Sequence, residues 1–224
     1  MNPVRDPGQS NKSTSETNQP ERGVSNGMKL LVIVGTTRPG RVSDRMARWV
    51  AAEAKNLADT TVEVVDLQDY PLPFLDEPIS PRYNPNRQPN PQTQKWIDKI
   101  AGGDAYVFVT PEYNHSIPGV LKNALDYLTF EMVKKPATVA SHGTVGGARA
   151  TMHLKEILSE SKAAIIPTQV ALAGMSDKIN EAGVLDEQLQ KEPYGPQAAL
   201  KGMLAELKWY SDALAAARAK DTAN

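Results

Sequence analysis

The chain contains no cysteine. That absence removes disulfides, thiolate nucleophiles and cysteine-ligated metals together, so any redox chemistry has to be carried by a bound cofactor. Histidine is nearly as scarce. His115, His142 and His153 are the whole set and show no H-E-x-x-H spacing, so no metal site is expected. No G-x-S-x-G elbow occurs, which removes the main support for a serine hydrolase on an α/β sheet. Charge of one sign is missing as well: 25 Lys and Arg stand against 26 Asp and Glu, a formal net charge of −1. Without a basic field the protein is not expected to recruit nucleic acid, which leaves small molecules and other protein surfaces as partners. No apolar run reaches bilayer-spanning length and no secretory or transit signal is recognisable, so a soluble, cytoplasmic protein with no membrane contact is expected.

What is present begins with a polar segment. Met1 to Gly27 is dominated by Asn, Ser, Thr, Pro, Gln and charged residues, with no periodic apolar stripe. Such a segment buries too little apolar surface to offset its ordering entropy, so a disordered tail is expected. Residues 28–224 then suffice for one domain with a full core. Strand patterns fall at Lys29–Val34, Thr61–Leu67, Ala105–Thr110, Pro136–Ser141 and Ala164–Leu172. Helical patterns lie between and after them, at Ser43–Leu57, Pro91–Ala101, Pro118–Phe130, Gly146–Ser161 and about Pro196–Ala219. In the last of these Leu200, Met203, Leu204, Leu207, Tyr210 and Leu214 share one face, the pattern of a helix docked on a sheet. Five βα units in alternation predict an α/β fold, a parallel sheet with helices on both faces. Tyr70–Pro91 holds seven of the 17 prolines and little periodicity, which predicts a long irregular excursion, either a ligand cover or a plain surface connection.

The first strand runs into Gly35-Thr36-Thr37-Arg38-Pro39-Gly40-Arg41-Val42-Ser43, after which Met46, Ala47, Trp49, Val50 and Ala54 recur at helical spacing. A strand that feeds a helix through such a loop brings free backbone N–H groups and the positive end of a helix dipole to one point, so an anion is expected there. A dinucleotide fingerprint needs three glycines in G-x-G-x-x-G, and this loop has two. The triphosphatase pattern finds Gly35 and Gly40 correctly spaced, but Arg41 and Val42 replace its lysine and hydroxyl. The hydroxyls and guanidiniums that remain suit a terminal phosphate monoester. The plainer alternative is an ordinary βα turn with solvated arginines. Asp44 would repel a phosphate, so it should point outward or pair with Arg41 or Arg45. A second Gly-rich loop, Ser141-His142-Gly143-Thr144-Val145-Gly146-Gly147, follows the fourth strand and opens a helix, so its N–H groups also converge.

At the end of the third strand stands Thr110-Pro111-Glu112-Tyr113-Asn114-His115-Ser116-Ile117-Pro118-Gly119-Val120-Leu121-Lys122-Asn123-Ala124-Leu125-Asp126-Tyr127. This stretch closely resembles the signature of the NADPH-dependent FMN reductase family, whose flavodoxin-like members include quinone, azo-dye and chromate reductases. The resemblance runs from Met28 to about Arg218. It implies a doubly wound, flavodoxin-like, five-stranded parallel sheet of order 2-1-3-4-5 with FMN bound. In an open sheet of that order ligands lie outside the carboxyl ends of the first and third strands, where the order reverses. Carried over residue by residue, Thr36, Arg38, Gly40, Arg41 and Ser43, with Thr37 among them, would cradle the phosphate. Pro111, Glu112, Tyr113 and Asn114 would border the isoalloxazine, as would Ser141 and Gly143, with Gly146 in the same loop. Asp44 and Arg45 depart from the family's commonest wording, which has Asn after the serine.

The resemblance implies a hydride passed from NADPH or NADH through FMN to a small electron acceptor, a quinone, azo compound, free flavin or oxidised metal, in a ping-pong cycle. It also implies a homodimer or homotetramer packed through the helices after the third and fourth strands. No side chain has to act as nucleophile or obligatory proton donor. Glu112 is therefore read as organising its loop, Tyr113 as stacking on the flavin or packing over the loop, and His142 as a solvated or hydrogen-bonded side chain. The alternative is a flavodoxin-type electron carrier with no nicotinamide turnover. Its usual acidic docking surface is not indicated by a net charge of −1.

Overall fold

Successive residues of a strand point to opposite faces, so a strand covered on both sides must be apolar nearly throughout. β1 (Met28–Val34) and β3 (Ala105–Pro111) meet that condition, and all their residues except Lys29 are buried. The computed structural model describes residues 27–221. The tail expected over Met1–Gly27 therefore lies, Gly27 apart, outside the described residues. Leu30, Val32 and Val34 join Val107 and Val109 on one face, beneath α1 (Ser43–Ala54) and α6 (Pro196–Asp221). Leu31, Ile33, Tyr106 and Phe108 form the other, beneath α2 (Pro91–Ala101), α3 (Gly119–Asp126) and α4 (Ala148–Glu160). Three layers result, helix on sheet on helix.

With β2 (Thr60–Asp66), β4 (Pro136–Gly143) and β5 (Ala164–Ile165), the sheet runs β2-β1-β3-β4-β5, every pair parallel, in the flavodoxin-like order expected. One correction concerns its edge. The continuous fifth strand expected over Ala164–Leu172 is two pieces, β5 and β6 (Val170–Ala173), which lie against opposite ends of β4. Pro167 stands in the interruption and has no N–H to give the ladder. The Thr138 hydroxyl donates to the Thr168 carbonyl at 2.6 Å and seals the gap.

Helix ends differ from expectation for local reasons. α3 stops at Asp126 instead of Phe130, and beyond it the Tyr127 hydroxyl reaches back to the carbonyls of Pro73 and Phe74, both at 3.2 Å. α4 begins at Ala148 instead of Gly146, because Gly146 and Gly147 have φ of 82° and 79°, which no right-handed helix accommodates. α1 ends at Ala54, three residues early. On α6 the expected apolar face holds through Leu200, Met203, Leu204 and Leu207, then fades at the partly exposed Tyr210 and Leu214. The short α5 (Glu187–Lys191) was not expected, although Asp186 caps it by accepting the N–H groups of Gln188 and Leu189. The proline-rich excursion is irregular, and it is braced by a bidentate Arg87–Glu77 pair and docked on α3 through Asn123. Among the described residues no helix is long and apolar enough to cross a membrane.

Candidate functional site

Three loops meet at the carboxyl ends of β1, β3 and β4. The first leaves β1 at Gly35, whose N–H donates to the Val109 carbonyl at 2.8 Å. A Cβ on Gly35 would stand 2.8 Å from that oxygen and 2.9 Å from Leu121 Cδ2, so the close approach of loop and β3 admits glycine alone. Gly40, at φ 69°, reverses the chain so that it enters α1. Val42 precedes α1 and offers its first turn no side-chain cap, which leaves orphan N–H groups and the dipole end facing the crevice.

The second loop is a tight hairpin. Tyr113 and Ser116 exchange backbone hydrogen bonds of 2.9 and 3.0 Å around Asn114 and His115, whose φ angles are 48° and 67°. Two successive positive φ angles are the geometry of a type I′ turn, and Asn tolerates it better than most residues. The hairpin sends the Tyr113 side chain toward the first loop. Arg38 Nε donates to the Tyr113 hydroxyl at 2.9 Å, with the guanidinium carbon 5.7 Å from the ring centre, and the buried Thr36 hydroxyl lies 3.3 Å from the same oxygen. Nε is thus engaged on Tyr113, while Arg38 as a whole is exposed on the first loop.

The third loop closes the floor. Ser43 and His142, 99 residues apart, meet at 2.7 Å between Oγ and Nε2, and both are buried. Burial first, and the positive charge of Arg38 second, push the His142 imidazole down to about 4, so it is neutral at ordinary pH. The His142 carbonyl accepts the Glu112 N–H at 3.0 Å, which joins this loop to the second. His142 is therefore a hydrogen-bonded floor residue and not a solvated one.

Several expected residues are brought to the crevice but spend their side chains elsewhere. Arg41 turns inward to the Thr36 carbonyl, at 2.7 Å, and to the Asp66 carboxylate, so it braces the first loop with its charge neutralised. Ser141 donates its hydroxyl to the Gly146 carbonyl at 2.7 Å and holds the third loop in shape. Glu112 accepts from the Arg149 N–H at 3.0 Å and from the Arg149 guanidinium. Burial works to raise the Glu112 carboxyl, but these donors at the start of α4 outweigh it and hold the group below its ordinary range. That is a loop-organising role, as read from the sequence. Asp44 pairs with neither Arg41 nor Arg45; it bonds Arg48 one turn on, at 2.9 Å, while Arg45 bonds Glu181. Thr37 is half-buried on the first loop, Pro111 ends β3, and Asn114 and Gly143 lie at the rim. Asp66 was missed. Its register opposite Val34, at the end of β2, is what sets its carboxylate under the first loop.

The hydroxyls of Thr36 and Ser43, the guanidinium of Arg38 and the start of α1, which no side chain caps, thus lie on the first loop, with the second and third loops beside it. This donor set fits a phosphate monoester joined to a planar, hydrogen-bonding ring, as FMN is. Comparisons with known proteins bear on the family and the fold. The NADPH-dependent FMN reductase family matches residues 28–177. An NAD(P)H-dependent FMN reductase of Schizosaccharomyces pombe is 39% identical over 171 residues, 76% of this chain and 85% of that protein. A quinone reductase of Escherichia coli is 31% identical over 143 residues, 60% of this chain and 71% of that protein. Among solved structures, the flavoenzyme NAD(P)H:(acceptor) oxidoreductase FerB of Paracoccus denitrificans shares the fold, with a TM-score of 0.64 at 23% identity over 83% of this chain and 97% of that one. With these matches and the sheet order in agreement, the chain belongs to the NADPH-dependent FMN reductase family.

Proposed function

We propose that the three loops hold one FMN, its phosphate in the Thr36–Ser43 cradle and its ring against the Pro111–Asn114 and Ser141–Gly146 loops, and that the protein uses it as an NAD(P)H-dependent reductase of small acceptors. The observation that carries this reading is the convergence of Arg38, Thr36 and Tyr113 beside the uncapped start of α1, at the carboxyl ends of β1 and β3. Bound FMN supplies a group that accepts hydride and returns electrons to a second molecule. The chain supplies position and electrostatics. The terminal nitrogens of Arg38 and the first-turn N–H groups of α1 take the phosphate. The turn that the Gly146 N–H closes on the Gly143 carbonyl would present its remaining backbone donors to the ring and so favour the reduced state. Arg41 and Glu112, spent on Asp66 and on α4, keep the loops in register.

Because one crevice serves both substrates, nicotinamide and acceptor take turns in it, a ping-pong order. Quinones, the acceptor class named for the Escherichia coli relative, stand with azo compounds, free flavins and oxidised metals as the acceptors of this reading. A homodimer or homotetramer packed through α3 and α4 and a cytoplasmic setting, where reduced nicotinamides are abundant, belong to the same reading. The test is spectroscopic and kinetic. The purified protein should absorb as an oxidised flavoprotein, NADPH or NADH should bleach it, and a quinone should restore the colour, with parallel double-reciprocal lines. A flavin that neither nicotinamide reduces would move the assignment to an electron carrier, and intersecting lines would overturn the ping-pong order.

A further inference from the structure

We propose that His142 is a positioning residue for the phosphate site, its Nε2 holding the Ser43 hydroxyl so that the single hydroxyl hydrogen is aimed out of the floor at the anion. The proposal rests on the reading of the cradle as an FMN site and goes beyond it, to a residue that need not touch the ligand.

A neutral imidazole has one N–H and one bare nitrogen, and a hydroxyl has one hydrogen. At 2.7 Å the pair therefore has two arrangements. If Nε2 is bare, it takes the Ser43 hydrogen and the cradle loses a donor. If Nε2 carries the proton, it donates to Ser43 Oγ, and the hydroxyl hydrogen is left for the phosphate. An arriving anion selects the second, because a hydrogen bond to a charged oxygen is the stronger one. The fold prevents the ring from evading this choice. His142 is clamped in register between Pro111 of β3 and Leu172 of β6, and it is 7% exposed. Burial first keeps the ring neutral, and the charged groups near it do not undo this. Arg38 opposes a second proton, Glu112 is bound by Arg149 at α4, and Asp44 of α1 is bound by Arg48.

The experiment is nitrogen NMR of the histidine-labelled protein, stripped of flavin and then given FMN or riboflavin, joined to titrations of variants. FMN should drive the His142 ring to its Nε2–H form, and riboflavin, which lacks the phosphate, should not. His142→Leu should weaken FMN about three- to tenfold and leave riboflavin unchanged. His142→Gln, whose amide can donate to Ser43, should recover most of the loss. Ser43→Ala should weaken FMN at least as much, with no further loss in the double variant. A His142 ring that stays in the Nδ1–H form with FMN bound overturns the proposal. So does a His142→Leu loss shared equally by FMN and riboflavin, although FMN binding itself then stands. Failure of the unaltered protein to bind FMN overturns the underlying site assignment instead. The wild-type spectra decide the matter even if the leucine variant does not fold.

Discussion

Lowering the pH from about 7.5 to about 5 should cost roughly 2 kcal/mol of folding stability through His142 alone. In the unfolded chain the imidazole takes up a proton near its ordinary 6.5, whereas in the folded protein burial and the Arg38 charge delay uptake to about 4. Between those values the unfolded state holds the extra proton. Stability is therefore complete above the unfolded value and is lost as the pH falls toward the folded one. The whole interval corresponds to about 3 kcal/mol, of which about 2 kcal/mol is gone by about pH 5. Glu63 and Glu112 are both held below the ordinary carboxyl value, so their contributions are lost only at lower pH and leave this window to the histidine. The assay is urea unfolding at the two pH values for the wild type and His142→Gln, which cannot titrate. The variant's pH dependence should be shallower by about 2 kcal/mol, with His115 and His153 common to both proteins. Equal pH dependence would show that His142 is not buried neutral, and the floor geometry would have to be redrawn.

Arg38→Ala should weaken FMN binding by roughly 10- to 150-fold, the scale of hydrogen bonds to a charged group, with Lys restoring only part because it cannot fork. Riboflavin binding should hardly change, and an equal loss for both ligands in equilibrium titration would place Arg38 at the ring or in the fold. Gly35→Ala should destabilise the fold by about 1–3 kcal/mol in thermal or urea unfolding, because its methyl group collides with the Val109 carbonyl and with Leu121. A neutral result would show that the first loop does not approach β3 as closely as described.

The alternation of strands with helices and the helix layers were legible in the sequence because each follows from a local pattern, whereas the order of the strands was implied by the resemblance of the Thr110–Tyr127 stretch to a known family. Two-sided burial makes β1 and β3 apolar on every face, and alternation of strands with helices leaves few parallel topologies. The Pro111–Asn114 stretch and the Gly35–Ser43 loop could be read as ligand loops because both follow strands that meet where the order reverses. The split of the edge strand was also written locally, in Pro167-Thr168-Gln169, which part the apolar pieces Ala164–Ile166 and Val170–Leu172. What the sequence could not reveal is which polar side chains are spent before a ligand arrives. Arg38 and Arg41 are chemically alike and three residues apart. Only the register that sets Asp66 beside Val34 commits Arg41 to a carboxylate, while Tyr113 of the hairpin after β3 holds Arg38 on the first loop. His142 likewise looked like any histidine in a glycine-rich turn. Its neutrality and its bond to Ser43 exist because two segments 99 residues apart are packed against each other in a place that water barely reaches. Periodicity and turn chemistry act over a few residues and are written in order along the chain. Desolvation and pairing of charges depend on distances that only the folded sheet brings into being.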